Sequence, residues 1–429
     1  MTKYVVTGGI PLRGEVRLHG AKNAGFKAMI ATLLADSPST ICDLGLISEI
    51  DFAKQVITQL GGKVTPQTDP HCLEINPAGL NSFVVNKEFG EKSRASNFYA
   101  PPLLAKFGKA ILPFPGGDQI GKRPLERHFS GLEKMGAKIK ISSEEIFIET
   151  PNGLKGVNFR FEKNTHTGTE FLIMAAVKAE GVTVLENAAA EPEVDDLIKF
   201  LNLMGAKIKR VALRIIKVIG VKNLYGAKHT VMKDRNEAVT FICAALATGG
   251  KIEILGLDTK VLIAFLEKVK EATANGKNLL ATKIVTAPYP GFMTDWQPLW
   301  STLMTQAQGE SIVHETVYEK RFDFVSGLIK MGAKIKFFEP KIANPNKIYN
   351  FNLADDSKEN KHAIKISGPT KLMRQEIEVN DIRSGATALL AGMIASGETT
   401  IIDPRDQIKR GYEILPQNLL NLGAKIKEF

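Results

Sequence analysis

Cysteine is scarce in this chain: Cys42, Cys72 and Cys243 are the whole complement in 429 residues. Their odd number and wide spacing argue against a disulfide framework or a cysteine-rich zinc site, and point to buried free thiols. Long apolar runs are also missing. No stretch approaches the ~18 uninterrupted apolar residues of a membrane span, and the opening MTKYVVTGGIPLRGE has no apolar core of signal-peptide length. The chain is therefore expected in the cytoplasm, with no membrane partner. HExxH, GxSxG and Cys-x-x-Cys are absent, and GGK at 249–251 lacks the spacing of a phosphate loop, so neither a metal nor a cofactor is expected. Aromatic residues make up only 7% and do not interleave with arginine-rich blocks. A net charge of +10 without such blocks argues against a nucleic-acid surface and for an anionic small molecule.

What the chain does have is a repeat. LEKMGAKIK at 132–140 recurs as LNLMGAKIK at 201–209, LIKMGAKIK at 328–336 and LLNLGAKIK at 419–427. A weaker copy, QLGGKV, stands at 59–64, and FLEKVKEATANGKNL near 265–279 reads as a degenerate sixth. Ahead of each ending lie a small-residue helix, a strand rich in β-branched residues and an amphipathic second helix that stops at the glycine. The first helices, among them KNAGFKAMIATLLA, TGTEFLIMAAVKAEG and DIRSGATALLAGMIASGE, are apolar nearly all round and must be buried. Helices without a polar face need sheets wrapped around them. Six units then give two α/β lobes of three repeats each, 22–233 and 234–429, with residues 1–21 returning to the second.

Charged residues recur at matching places. Lys22, Arg94, Arg235 and Arg383 stand near the starts of buried helices, with Asp295 in the corresponding place of the fifth unit. Arg123, Arg321 and Arg410 follow the strands, at or near the start of the second helices. Helix starts are electropositive, and guanidinium groups grip carboxylate and phosphate bidentately, so the recurrence points to a polyanionic ligand. The loop PFPGGDQIGKRP at 113–124, around Asp118, has no apolar periodicity and reads as a functional lid. His128 and His166 lie near these segments, although a lone histidine reads first as a hydrogen-bonded structural residue.

Taken together, GAKNA at 20–24, SRAS at 93–96, PGGDQIGKRP at 115–124, GTE at 168–170, ENAAAEPE at 186–193, DRNE at 234–237, TAPYPGFMTD at 286–295, TVYEKRF at 316–322, NDIRSGA at 380–386 and KRGYE at 409–413 carry a resemblance. Over nearly its whole length the chain resembles the UDP-N-acetylglucosamine 1-carboxyvinyltransferases, which transfer the enolpyruvyl group of phosphoenolpyruvate to a sugar hydroxyl and release phosphate. The resemblance implies a two-lobed inside-out α/β barrel. It also implies roles for single residues. Lys22, Asn23, Arg123, Arg321, Arg383 and Arg410 correspond to the phosphoenolpyruvate contacts. Asn23, Arg94, Asp295 and Val317 correspond to contacts near the sugar and its diphosphate. Arg123, Pro124, Leu125, Glu126, Arg127 and His128, with Thr165 and Thr167, correspond to the nucleotide stretches. Asp295 would be the base toward the hydroxyl, with Asp118, Lys22 and Arg410 completing the catalytic set.

The chain departs from the family in places. Many members carry cysteine where Asp118 stands, and fosfomycin acts by alkylating that cysteine, so insensitivity is expected. RPLERH at 123–128 replaces the commoner RPVDLH, and Ala190 and Lys409 stand where arginine and aspartate are commoner. Three other readings stay open on these residues: an enolpyruvyl transferase with a different nucleotide or nucleotide-sugar acceptor, a 5-enolpyruvylshikimate-3-phosphate synthase, and a non-catalytic nucleotide-sugar binding protein.

Overall fold

The computed structural model describes residues 1–92, 94–114, 116, 120–122 and 124–429, with the side chains of 91, 92 and 94 excluded. The chain divides into two compact units. One comprises Met1–His19 and Lys233–Phe429, together with the described residues between 118 and 123; the other comprises the remainder of Gly20–Met232.

Within the second of these, one motif occurs three times. A buried helix (Lys22–Ala31, Ala100–Phe107, His166–Ala176) leads to a strand (Ser39–Cys42, Lys109–Pro113, Val182–Glu186), then an outer helix (Ser48–Gln59, Glu126–Lys134, Pro192–Leu203). A pair of strands follows, Lys63–Pro66 with Leu73–Asn76, Lys138–Ile141 with Glu145–Glu149, and Lys207–Ala212 with Ile215–Ile219. The later strand of each pair lies antiparallel between its partner and the strand after the buried helix. A parallel strand completes two of these sheets: Asn158–Arg160 beside Val182–Glu186, and Lys228–Thr230 beside Ser39–Cys42.

The GAKIK ending is legible in this geometry. Gly61, Gly136, Gly205, Gly332 and Gly423 all adopt φ between 96° and 103°, which other residues rarely reach, and each turns the chain from the outer helix into the next strand. The apolar helices are buried as their composition demands. Every residue from Ala24 to Ala31 and from Gly168 to Ala176 is buried, and each large side chain so placed contributes about 1.5–3 kcal/mol. Phe98 joins the three elements, meeting Phe26 edge-on at 5.9 Å and Phe171 at 6.4 Å.

The other unit repeats the motif with three changes. Its buried helices are Arg235–Thr248, Gln297–Met304 and Ile382–Ile394, followed by strands Lys251–Leu255, Gly309–His314 and Glu398–Asp403. In the degenerate copy the outer helix forms at Ile263–Ala272, but among the described residues the strand pair does not, and Lys251–Leu255 pairs there only with Arg13–Arg17. In the last copy the N-terminal strand Thr2–Thr7 takes the central place, antiparallel to both Glu398–Asp403 and Lys425–Glu428. The fifth copy widens its hairpin. Residues 339–362, between strands Lys334–Phe338 and Ala363–Gly368, bury Tyr349, Phe351 and His362, with the first two rings stacked at 4.7 Å.

One expectation from composition is corrected. Cys42 and Cys72 form a disulfide across adjacent antiparallel strands, with Cα atoms 4.0 Å apart, and only Cys243 is a buried free thiol. The pairing of Ile41 with Leu73 sets Cys42 opposite Cys72. Among the described residues no helix is long and apolar enough to cross a membrane, and no cluster of three or more His, Cys, Asp or Glu could hold a metal ion.

Candidate active site

Buried helix starts carry several of the candidate residues, and Ile382–Ile394 shows why. Asp381 caps it, accepting hydrogen bonds from the Arg383 N–H at 2.9 Å and the Ser384 N–H at 3.2 Å, while Ser384 returns a capping-box contact to the Asp381 backbone. The cap fixes Arg383 in the first turn. Its Nη1 donates to the Tyr412 hydroxyl at 2.7 Å and its Nη2 to Asp295 Oδ2 at 3.4 Å.

Asp295, just ahead of Gln297–Met304, accepts on its other oxygen from Arg321 Nη2 at 3.1 Å. Arg321 Nη1 lies 3.5 Å from Asp381 Oδ1. Two guanidinium groups and two carboxylates thus meet in one place, and the arginines are only 5% and 8% exposed. Burial disfavours the charge on Arg321, yet Asp381, Asp295 and Glu315 outweigh it and hold the group protonated. Arg383 behaves likewise: burial opposes its charge, and Tyr412 and Asp295 restore it. Arg321 Nε is buried with no hydrogen-bond partner among the described residues. A buried donor left open costs about 1–3 kcal/mol, which a bound anion could recover.

Arg235, the first residue of its helix, is 1% exposed and packs its guanidinium 4.9 Å from the Tyr289 ring and 5.7 Å from that of Trp296. Arg410 lies in the short helix Gln407–Gly411, where its Nη1 donates to Gln407 Oε1 at 3.3 Å. Val317 is half-buried in the turn after strand Gly309–His314. Lys409 is paired instead with Glu428 at the surface.

In the other unit, Lys22 and Asn23 open the first buried helix and remain half-buried while everything after them is covered. Gly20 makes that start possible, because a Cβ there would stand 1.5 Å from the Asp43 carbonyl oxygen. The segments at 124–128 and 164–167 meet: His128 Nε2 lies 3.1 Å from Thr167 Oγ1, and Arg127 Nη1 reaches the Asn164 carbonyl at 3.5 Å. Thr165 caps its helix through Gly168 N–H at 3.2 Å. Pro124 and Leu125 lead into the helix that Glu126 begins; Leu125 packs on the core and Glu126 is exposed.

Several residues here were not singled out by sequence. Lys163 has its pKa lowered, first by partial burial and then by the neighbouring charge of Arg127, so two cations crowd one spot. Lys27 donates to Glu170 in the core, and His166 lies 3.3 Å from the other Glu170 oxygen. Asp118 and Arg123, and the side chain of Arg94, lie outside the described residues.

A family model described as EPSP synthase (3-phosphoshikimate 1-carboxyvinyltransferase) matches residues 6–419. A UDP-N-acetylglucosamine 1-carboxyvinyltransferase of Saccharophagus degradans is 38% identical over 440 residues, covering 100% of this chain and 99% of its own. A protein named UDP-N-acetylglucosamine 1-carboxyvinyltransferase 3, from Caldanaerobacter subterraneus subsp. tengcongensis, is 39% identical over 438 residues, covering 99% of each. Among solved structures, the enolpyruvyl transferase NikO from Streptomyces tendae superposes with a TM-score of 0.85 at 19% identity, over 100% of this chain and 99% of its own. EPSP synthase from Acinetobacter baumannii does so with 0.74 at 17%, over 100% of both. These likenesses give the fold as the two-lobed inside-out α/β barrel.

Proposed function

The chain belongs to the EPSP synthase family and, within it, to the UDP-N-acetylglucosamine 1-carboxyvinyltransferases, and from that premise we propose that it transfers the enolpyruvyl group of phosphoenolpyruvate to the 3'-hydroxyl of UDP-N-acetylglucosamine, releasing phosphate. The observation that carries this reading is Asp295 held between Arg321 and Arg383, with Arg321 Nε a buried donor that finds no acceptor among the described residues. A carboxylate able to take a proton sits beside guanidinium groups suited to the anionic substrate.

The reaction is an addition followed by an elimination. A proton joins the methylene carbon of phosphoenolpyruvate, and the sugar oxygen bonds to the neighbouring carbon as its own proton passes to Asp295. The tetrahedral adduct then loses a methyl proton and phosphate, which restores the double bond. Lys22, Arg123 and Arg410 serve the phosphate, and Asp118 with Lys22 assists the proton transfer and the phosphate departure. Asn23, Arg94 and Val317 hold the sugar side. Arg127 and Lys163, whose charges crowd each other, suit the nucleotide's anionic groups. Aspartate at 118 leaves the site without the thiolate that fosfomycin alkylates. The reaction is placed in the cytoplasm as the first committed step of peptidoglycan synthesis, so that loss of the enzyme would disturb cell shape and division.

The test is phosphate release from purified protein with both substrates, and with each omitted in turn. Release that requires both, with a product heavier by one enolpyruvyl group, supports the reading. No release with UDP-N-acetylglucosamine refutes it, and other nucleotide acceptors would be tried next.

A further inference from the structure

Strand Gly309–His314 ends in a carboxylate that has no exit to solvent. Glu315 is 1% exposed, and both of its oxygens are occupied. Oε1 accepts hydrogen bonds from the Val317 N–H at 2.8 Å and the Tyr318 N–H at 3.1 Å, and Oε2 accepts from the Thr294 hydroxyl at 3.0 Å. The residues around it are pinned as firmly. The Glu315 N–H donates to the His362 carbonyl at 2.8 Å, the Thr316 N–H to Thr286 Oγ1 at 2.8 Å, and the Asn350 N–H to the Thr316 carbonyl at 2.7 Å. Two of these partners, Asn350 and His362, belong to the widened hairpin 339–362, which is thereby fastened to this turn.

We infer that Glu315 is a positioning residue for enolpyruvyl transfer, setting the distance between the Asp295 segment and the 317–321 turn. The inference rests on the functional reading above. Thr294 precedes Asp295, and Val317 and Tyr318 precede Arg321, so the Glu315 carboxylate ties the Thr294 side chain to the backbone of the turn, linking the two segments whose side chains meet as the Asp295–Arg321 pair. Without it, the register of the proposed base and the turn would rest on that ion pair and on the more distant Thr286–Thr316 bonds. The same bonds consume the amide hydrogens of Val317 and Tyr318, which leaves the Val317 carbonyl and side chain as the groups available to a ligand. Burial pushes the Glu315 carboxyl up from its ordinary value, against the backbone donors and Arg321, so the group is held by geometry rather than by solvation.

Steady-state phosphate release by E315A, E315Q and T294V tests this, with kcat referred to folded protein. Emission from Trp296 and Trp300, both buried in the same unit, reports folding. E315A is expected to lose about 100-fold in kcat, the scale of an ångström-sized misplacement, with the KM for phosphoenolpyruvate within about threefold of wild type. Gln can still accept from both amides while Thr294 reverses its hydroxyl, so E315Q should recover to within about fivefold of wild type. T294V removes only the Oε2 arm, keeps the fold should E315A not, and should lose about tenfold in kcat. Wild-type kcat in folded E315A and T294V overturns the inference, as does an E315Q variant no better than E315A. A wild-type chain that releases no phosphate from the two substrates refutes the functional reading, and this inference with it.

Discussion

Replacing Lys27 with Met removes a charge from the middle of an apolar core while keeping most of the stem. Lys27 is 2% exposed and Glu170 0%, and the ammonium also lies 5.5 Å from the rings of both Phe26 and Phe98. The lost cation–π contacts account for about 1–2 kcal/mol. Stranding the Glu170 carboxylate is the larger effect: breaking one side of a buried pair costs about 3–5 kcal/mol. At about 2–4 °C per kcal/mol for a unit of this size, the melting temperature should fall by about 10 °C. His166 supplies a pH signature. Burial opposes its charge, yet Glu170 raises its pKa overall while Lys27 works against it. Stability from protonated His166 is present in full below the unfolded-state pKa and lost as pH rises through the higher folded value. The K27M penalty should therefore be smaller at pH 6 than at pH 8. Both tryptophans lie in the other unit, so urea unfolding should be followed by circular dichroism, with hydrogen exchange in helices Lys22–Ala31 and His166–Ala176. The double variant K27M/E170M should regain most of the loss, because a buried pair replaced as a whole is about neutral. A K27M penalty under about 1 kcal/mol, or a double variant no better than the single one, would refute the reasoning.

Asp295→Asn should lower kcat by about 10²–10⁴-fold, the range for loss of a general base, with substrate binding largely kept; near-normal turnover in a direct assay would rule out the base role. Incubation with fosfomycin should leave activity intact and add no mass to the protein, and time-dependent covalent inactivation at low drug concentration would contradict the reading of Asp118. Reducing the Cys42–Cys72 bond, which closes a separation of 30 residues, should cost the unit that contains it up to about 4 kcal/mol in chemical denaturation. Thiol alkylation and mass spectrometry should find one free cysteine before reduction and three after it.

Fold class was legible because local signals repeated. One GAKIK ending would read as an ordinary helix stop, but five glycines followed by a strand's first residues define a unit, and the apolar helices before them leave no arrangement except burial. The signal failed where it depended on partners distant in the sequence. FLEKVKEATANGKNL forms its helix, but among the described residues no strand pair follows it. Cysteine parity could not find the disulfide either, since Cys42 and Cys72 meet only through the register that sets Ile41 against Leu73. The widened hairpin at 339–362 carries no periodicity that distinguishes it from a surface loop, yet it buries two stacked aromatic rings.

The site divides along the same line. Arginines at helix starts could be picked out because the repeat supplies the comparison: Arg383 and Arg321 occupy places that recur, and the structure brings both to Asp295. Glu315 and Glu170 have no such comparison. Glu315 reads as one more polar residue at a strand end, and its weight comes from two backbone amides and a hydroxyl that the sequence does not show as its partners. Glu170 lies 143 positions from Lys27, and each is a charge in the middle of a buried, mostly apolar helix. A charge at such a place is itself evidence, because the cost of burying it alone exceeds what the helix could tolerate. Two unexplained charges in buried helices of one lobe are therefore better read as a pair than as two surface residues, and that inference could have been drawn from the sequence before the coordinates were known.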